Sequence, residues 1–214
     1  MVKWNNVYLK QIEKCGGVKK YTSIKLNQKQ KLLNIIRRFS GSGKIIETGC
    51  GTGIISSKLA SEGFDVTAID IDKDVLKLAK DVEIANYGKI ITNYKMESIF
   101  DLIYDEDTFD LCFSVGVLEH FTDDEIIKSL TKQIKISKKT IVVIPTKWFD
   151  DVDALHGDDR FLSLSYWRNL ISNSNGKIVM ESSYPFRGKG FSFLNKLKKI
   201  FRPRAYRIFV IEKK

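Results

Sequence analysis

Cysteine, histidine and proline are scarce in this chain. Its 214 residues include three cysteines, two histidines and three prolines. Cys15, Cys50 and Cys112 are odd in number and lack the paired spacing of a metal-binding motif, so the sequence offers neither a disulfide framework nor a zinc site. Unpaired cysteines are typical of a reducing compartment, and we therefore expect a cytoplasmic protein without a metal centre.

Long apolar runs are also missing. A helix that crosses a bilayer needs roughly 20 mainly apolar residues in succession, and no stretch of this chain approaches that length. Residues 1–6 lack the apolar region of a secretory signal. Hydrophobic residues make up 43% of the chain and charged residues 29%. This composition is that of a soluble globular protein, and the length predicts one domain, residues 1–214.

Acidic residues are scarce at both ends of the chain. Residues 1–44 contain eleven lysines and arginines against one glutamate, and residues 187–214 contain ten against one glutamate. Residues 45–186 carry 15 basic and 24 acidic side chains, and the formal net charge of the whole chain is +10. Two basic ends around an acidic centre favour an anionic partner near those ends.

Apolar runs of strand length alternate with helical periodicities. We expect strands at 44–48, 64–69, 89–94, 109–114, 140–144, 177–184 and 205–211, and helices at 27–39, 54–61, 72–86, 123–136 and 166–172. A capping box of Thr122 and Glu125 opens one of these helices, and Ser165 caps the next. The alternation predicts an α/β fold with a doubly wound, mostly parallel seven-stranded sheet. No helix separates the last two strands, so the last strand is expected to be antiparallel.

The most informative segment joins the first two strands. Glycines at positions 49, 51 and 53 follow the first strand, and Asp70 ends the second. The glycines let the backbone pass close under a bulky ligand, and the carboxylate beside them can accept hydrogen bonds from a ribose diol. A dinucleotide fingerprint would need glycine at position 54, where this chain has Ile54. A pyrophosphate also disfavours the carboxylate of Glu47, which instead suits a ligand with an ammonium group.

Glu47-x-Gly49-x-Gly51-x-Gly53, followed by Asp70, resembles the glycine motif and ribose-binding acid of the class I S-adenosylmethionine (SAM)-dependent methyltransferases. Residues 109–120 look like the fourth strand of that family and the turn after it. Their ending, Leu118-Glu119-His120, is typical of the small-molecule, type 11-like branch. The resemblance covers roughly residues 43–145. It implies a Rossmann-like methyltransferase fold, with residues 1–43 as a helical extension or lid, 44–145 as the cofactor-binding half and 146–214 as the substrate-side half.

The resemblance implies that SAM lies across the carboxyl ends of the strands and leaves as S-adenosylhomocysteine. Glu47 is then expected at the amino end of SAM, Asp70 at the ribose hydroxyls and Ile71 against the adenine. The family has an acid after its third strand that contacts the adenine amino group. Glu97 matches this acid by residue type and Ser98 by alignment, and we retain both. Further cofactor contacts are expected at Gly49, Cys50, Gly51, Gly53 and Ser114.

The implied activity is in-line transfer of a methyl group from SAM to a small-molecule acceptor. Because the leaving group is already activated, the protein mainly has to align the two reactants. A general base is needed only where the acceptor must lose a proton. His120 and His156 fall in loops expected at the ligand edge and are the candidates for this base, although each also suits a structural role in its loop.

The sequence is also compatible with three other functions. An RNA methyltransferase would use the basic ends of the chain on phosphates, but the chain has no recognisable RNA-binding module. A non-catalytic SAM-binding protein would bind the cofactor without turnover. A nicotinamide-dependent oxidoreductase could have a similar sheet, but Glu47 and Ile54 disfavour it.

Residues 187–204 form the most basic segment of the chain. Lys196, Lys198 and Lys199 alternate there with apolar residues at helical spacing. We expect this segment to guide an anionic or lipid-like acceptor to the site, or to rest on an anionic surface. The simpler alternative is a helix that packs its apolar face on the domain and exposes its lysines to water.

Overall fold

The computed structural model describes residues 3–146, 160–184 and 206–214. Within these ranges seven strands form a single sheet, and seven α-helices lie before and between them. The helices are α1 (Trp4–Cys15), α2 (Val18–Gln28), α3 (Gln30–Phe39), α4 (Ile54–Ser61), α5 (Lys73–Tyr87), α6 (Asp123–Ile136) and α7 (Leu164–Asn173). The strands are β1 (Lys44–Thr48), β2 (Asp65–Asp70), β3 (Asn93–Met96), β4 (Phe109–Val115), β5 (Ser137–Pro145), β6 (Gly176–Tyr184) and β7 (Tyr206–Lys213).

The strand order across the sheet is β3-β2-β1-β4-β5-β7-β6. Strand β7 runs antiparallel to both of its neighbours, and the remaining strand pairs are parallel. The predicted fold class, including the antiparallel last strand, is confirmed. The strand order reverses between β1 and β4, and in open α/β sheets the crevice at such a reversal, beside the carboxyl ends of the strands, binds ligands.

The central strands are apolar on both faces because helices cover both sides of the sheet. Ile45 and Ile46 are neighbours on β1, yet both are fully buried, each in a different apolar cluster. Helix α3 contributes Leu32, Leu33 and Ile36 to the cluster that contains Ile45. The sheet is therefore a rigid platform from which the loops at its carboxyl edge project.

Two helix starts are set by side-chain caps. The predicted capping box of Thr122 and Glu125 is present at the start of α6. Helix α7 is capped by Ser163 rather than by Ser165: the Ser163 hydroxyl accepts a hydrogen bond from the Tyr166 N–H at 3.2 Å. Both serines satisfy the same preference for a short hydroxyl side chain at this position, so sequence alone does not separate them.

The other differences from the sequence prediction are local. The helix expected at 27–39 is interrupted at Lys29, which ends α2 and precedes α3 with φ −101° and ψ 9°. The third strand is short and lies at Asn93–Met96 instead of 89–94. Before it, the Thr92 hydroxyl donates a hydrogen bond to the buried carboxylate of Glu83 at 2.7 Å, which anchors this stretch to α5. A side-chain contact of this kind leaves no periodicity in the sequence.

Candidate functional site

A cavity of about 160 Å³ lies at the carboxyl edge of the sheet, under α1 and α2. Small-molecule sites are commonly about 300–1,000 Å³, so this cavity is small for its position. The ends of β1, β4 and β5 form its floor. Its lining consists of Trp4, Tyr8, Gln11, Tyr21, Lys25, Lys29, Glu47, Gly49, Cys50, Gly51, Thr52, Ile54, Ile55, Val115, Gly116, Glu119, His120, Pro145 and Tyr206.

The glycine turn after β1 forms one wall of the cavity. Gly49 and Gly51 have φ of +71° and +54°, a region that side-chain-bearing residues rarely adopt. A Cβ on Gly49 would lie 2.7 Å from the Val117 Cγ2 atom, and one on Gly51 would lie 2.6 Å from the Tyr8 hydroxyl. Both the backbone conformation and the neighbouring side chains therefore require glycine at these two positions.

Asp70 ties this turn to the end of β2. Its Oδ2 atom accepts a hydrogen bond from the Gly51 N–H, and its Oδ1 atom accepts one from the Asp72 N–H, both at 3.1 Å. Burial raises the pKa of the Asp70 carboxyl, and these two backbone hydrogen bonds oppose the shift. The next residue, Ile71, is 72% exposed. An apolar surface thus lies open to solvent directly beside a half-buried carboxylate.

Glu47 is buried beside the glycine turn. Its Oε2 atom accepts hydrogen bonds from the Ser56 N–H at 3.2 Å and from the Ser56 hydroxyl at 2.5 Å. Both bonds end on Oε2, and no group in the described part of the chain donates a hydrogen bond to Oε1, which is available to a ligand. Burial raises the pKa of Glu47 to about 7, although the Ser56 hydrogen bonds and the Lys29 ammonium favour the ionised form.

Two lysines that the sequence analysis did not single out also line the cavity. Tyr21 and Lys25 are four residues apart on the side of α2 that borders the cavity, and Lys29, four residues further on, caps the C-terminal end of this helix. Burial and the Lys25 ammonium lower the pKa of Lys29 to about 8, while the carboxylates of Glu47 and Glu119 oppose this shift. The only signal in the sequence was the spacing itself, in a segment whose many lysines resemble a solvated helix face.

Aromatic side chains close the cavity from the side of α1. Trp4 stacks on Tyr8, with ring centroids 6.0 Å apart, and meets the His120 ring edge-on at 5.1 Å. Burial raises the pKa of the Tyr8 hydroxyl, and the Asp70 charge adds to this shift. Helix α1 thus reaches both the glycine turn and the turn after β4.

The far wall of the cavity is formed by Glu119, His120, Pro145 and Tyr206. Glu119 and His120 belong to a single 3₁₀ turn after β4, and Tyr206 begins β7. The Tyr206 ring stacks on Tyr184, at the end of β6, with centroids 4.9 Å apart. This wall therefore gathers residues from three separate connections at one edge of the sheet.

Five of the site residues expected from the sequence line the cavity: Glu47, Gly49, Cys50, Gly51 and His120. Burial raises the pKa of the Cys50 thiol well above its usual value, so this cysteine is protonated at neutral pH. Gly53 ends the glycine turn and lies outside the cavity lining. Its φ is +64°, and a Cβ there would lie 2.7 Å from the Tyr94 hydroxyl.

The other expected residues lie outside the cavity lining. Glu97 accepts a hydrogen bond from the Tyr104 hydroxyl at 2.8 Å, and the Ser98 hydroxyl accepts one from the Phe100 N–H at 3.1 Å. The Ser114 hydroxyl is buried without a hydrogen-bond partner among the residues that the structure describes. His156 and the segment 187–204 fall outside the described residues.

Metal clusters and membrane-spanning helices are absent from the described part of the chain. Residues 3–146, 160–184 and 206–214 contain no group of three or more His, Cys, Asp or Glu side chains arranged to hold a metal ion. In the same ranges, none of the helices combines the length and the apolar character that a bilayer crossing requires.

Comparison with known proteins matches residues 46–136 to a family model described as a methyltransferase domain. A ubiquinone biosynthesis O-methyltransferase from Rickettsia akari is 34% identical over 100 residues, which is 46% of this chain and 39% of that protein. Over residues 46–136 the chain is thus similar to the methyltransferase domain family. A ubiquinone biosynthesis O-methyltransferase from Xylella fastidiosa is 35% identical over 44% of this chain and 38% of its own length. The chain thus spans less than two fifths of the length of these curated relatives.

Solved structures share the fold of this chain. A protein from Pyrococcus horikoshii superposes with a TM-score of 0.67 at 15% identity, over 91% of this chain and 92% of that chain. A magnesium protoporphyrin IX methyltransferase from Synechocystis, crystallised with bound SAM, gives a TM-score of 0.63 at 15% identity, over 91% and 83% of the two chains. At these identities the likeness concerns the fold alone.

Proposed function

We propose that this protein is a methyltransferase that transfers a methyl group from SAM to a small-molecule acceptor and releases S-adenosylhomocysteine. The observation that carries the proposal is the grouping of the glycine turn, Glu47 and Lys29 around one cavity, with Asp70 bonded to the turn. The named activity of the Rickettsia and Xylella relatives supports a small molecule as acceptor and oxygen as the acceptor atom.

The charged groups present fit the amino-acid end of SAM, which carries one ammonium and one carboxylate. Glu47 has a free Oε1 atom to accept a hydrogen bond from the ammonium. Lys29 lies close enough to Glu47 for each charge to shift the pKa of the other group. A zwitterion between the two would pair both charges, which relieves the cost of burying them.

The remainder of the proposed cofactor site extends along β2. Asp70 would hold the ribose hydroxyls, and the exposed side chain of Ile71 would pack on the adenine. Gly49, Cys50, Gly51 and Gly53 would bring the backbone close to the ligand, since the first and third of these admit no Cβ. Contacts from Glu97, Ser98 and Ser114 stay predictions.

When bound, SAM supplies a methyl group on a good leaving group. The protein then has to orient the acceptor and exclude water, and positioning alone can lower a barrier by roughly 7–11 kcal/mol. His120 is the described base candidate: its ring lines the cavity and is held by the edge of Trp4. The role of His156 as a base stays a prediction, as do a lipid-like acceptor and contact of residues 187–204 with an anionic surface. A cytoplasmic location is also a prediction, and the three free cysteines support it.

Calorimetric titration of the purified protein with SAM, and separately with NADH, tests the cofactor. We expect saturable binding of SAM and none of NADH. The Asp70→Asn variant should bind SAM at least about 10-fold more weakly, because it removes a charge-assisted hydrogen bond. The control is Asp74→Asn, which changes an exposed carboxylate one turn away.

Two outcomes would contradict this proposal. If the protein bound NADH in preference to SAM, the glycine turn would be a nicotinamide-dinucleotide site and the oxidoreductase alternative would hold. SAM binding without methyl transfer to any member of a panel of phenols, carboxylic acids, anionic lipids and RNA would identify a SAM-binding protein without catalysis. Transfer to RNA alone would favour the alternative that the basic ends of the chain suggest.

A further inference from the structure

We propose that Lys25 binds a negatively charged group on the methyl acceptor, so that the acceptors of this enzyme are small organic acids. The inference rests on the proposed function and narrows its substrate class. Its basis is that two lysine ammonium groups, those of Lys25 and Lys29, line the cavity, whereas SAM has a single carboxylate to pair with one of them.

Lys25 lies on the cavity side of α2, one turn from Lys29. Its Nζ atom stands 5.5 Å from the centroid of the Tyr21 ring. No carboxylate of the described residues comes within 4.0 Å of this ammonium, and none of its hydrogens is donated to a described residue. A half-buried cation with these surroundings is short of a counter-ion.

The charges of the cavity can be assigned one by one. Glu47 suits the ammonium of SAM, and Lys29 suits the carboxylate. The carboxylates of Glu47 and Glu119 both act on Lys29, but neither contributes to the pKa of Lys25, which burial lowers. Its near neighbours are the Tyr21 ring and Cys15, whose charge opposes the lowering of its pKa. Lys25 is therefore the cavity cation for which neither the described residues nor the cofactor supply a carboxylate.

The surroundings of Lys25 indicate what else the acceptor contains. Trp4, Tyr21 and Tyr206 line the same cavity as this ammonium, and aromatic walls suit a planar organic body. An acid with an aromatic ring would satisfy both the rings and the lysine. Because a charge-assisted hydrogen bond is worth about twice a neutral one, the charge should dominate the choice between otherwise equal acceptors.

Methyl transfer to a matched pair of probes tests the proposal. 3,4-Dihydroxybenzoate and 3,4-dihydroxybenzamide share the ring and both hydroxyls and differ in charge. We expect the wild-type enzyme to favour the benzoate by roughly 10- to 100-fold in kcat/KM, mainly through KM. Lys25→Met should remove this preference by lowering kcat/KM for the benzoate, and Lys25→Arg should retain much of it.

Lys19→Met is the control, because Lys19 is exposed on the same helix and does not line the cavity. Binding of both probes to protein saturated with S-adenosylhomocysteine, measured by calorimetry, gives a readout that does not depend on turnover. Equal binding of the two probes by the wild-type protein, or an unchanged preference in Lys25→Met, would overturn the proposal. So would weaker SAM binding by Lys25→Met with unaltered acceptor binding. Failure of the proposed function is seen separately, as absence of SAM binding by the wild-type protein.

Discussion

Glu47 and Lys29 carry opposite charges when ionised, and burial in the site favours the neutral form of each side chain. Between pH about 4.5 and 7 the folded Glu47 keeps a proton that the unfolded carboxyl has lost, because its pKa rises from 4.5 to about 7. The free energy of unfolding must therefore fall over this range. Between pH about 8 and 10.5 the folded Lys29 has lost a proton that the unfolded ammonium keeps, because its pKa falls from 10.5 to about 8. The free energy of unfolding rises again there.

The contribution of this pair to stability should thus be lowest between about pH 7 and 8. Urea unfolding at several pH values checks this. Relative to Glu47→Gln, the wild-type protein should lose up to about 3 kcal/mol between pH 4.5 and 7. Relative to Lys29→Met, it should gain stability above pH 8. Parallel pH profiles for the wild-type and variant proteins would show that these two residues do not carry the shifted pKa values.

Gly51 provides a sharper test of the glycine turn. Gly51→Ala places a methyl group 2.6 Å from the Tyr8 hydroxyl, on a backbone with φ of +54°. We expect a loss of about 1–2 kcal/mol in the free energy of unfolding from the backbone, and at least about 10-fold weaker SAM binding from displacement of Tyr8. Calorimetry and thermal unfolding measure the two effects.

Gly63→Ala is the matched control, since Gly63 has φ of +95° and a Cβ added there would meet no atom of a neighbouring segment within 4 Å. It should show the stability loss without the loss of SAM affinity. If both variants bind SAM like the wild-type protein, the approach of Tyr8 to the turn does not matter for the ligand.

Helix α1 sets the size of the cavity. Tyr8 and Trp4 occupy space above the glycine turn, and the cavity that remains is about 160 Å³. We expect a ligand of the size of SAM to displace α1 and then to pack against it. Ile12 is the residue of α1 that is buried in the core, and Tyr8 is partly buried against that core, so local opening of α1 should cost little.

Hydrogen exchange measures this opening directly. Saturating SAM should slow amide exchange in α1, as well as in residues 49–53 and 70–72, whereas α7, which contributes no residue to the cavity lining, should be unaffected. Protection confined to the glycine turn and the end of β2 would mean that α1 takes no part in holding the ligand.

The elements also show what a single sequence can reveal. The mostly parallel sheet could be predicted from the alternation of strands and helices, and the antiparallel β7 from the lack of a helix between the last two expected strands. The glycine turn and Asp70 are adjacent to strands whose apolar runs are unmistakable, so their meeting could be predicted. The position of Lys29 in the cavity could not be predicted, because it depends on the break between α2 and α3. Tyr206 reaches the cavity only through pairing between β7 and β5.

At the scale of the whole molecule, charge is divided between an acidic centre and two basic ends. The assignment of residues 1–214 to one domain stays a prediction. Changing Lys196, Lys198 and Lys199 to Gln should lower kcat/KM for an anionic acceptor several-fold at low salt and leave a neutral acceptor unaffected, because long-range steering depends on charge. The effect should disappear in concentrated salt.

The same three-lysine change on α6, at Lys128, Lys132 and Lys135, gives a matched control for net charge. Steady-state kinetics at two salt concentrations distinguishes the cases. Equal losses in both triple variants would assign the effect to total charge rather than to the segment 187–204.

Tyr184 and Tyr206 hold the ends of β6 and β7 side by side at the rim of the cavity. In the sequence, 21 residues separate these two tyrosines. Since the entropic cost of closing a loop rises only slowly with its length, that stretch could be replaced, lengthened or shortened without disturbing the pairing of the strands. The protein therefore offers a natural graft site, where new acceptor preferences can be introduced while the cofactor half stays as it is.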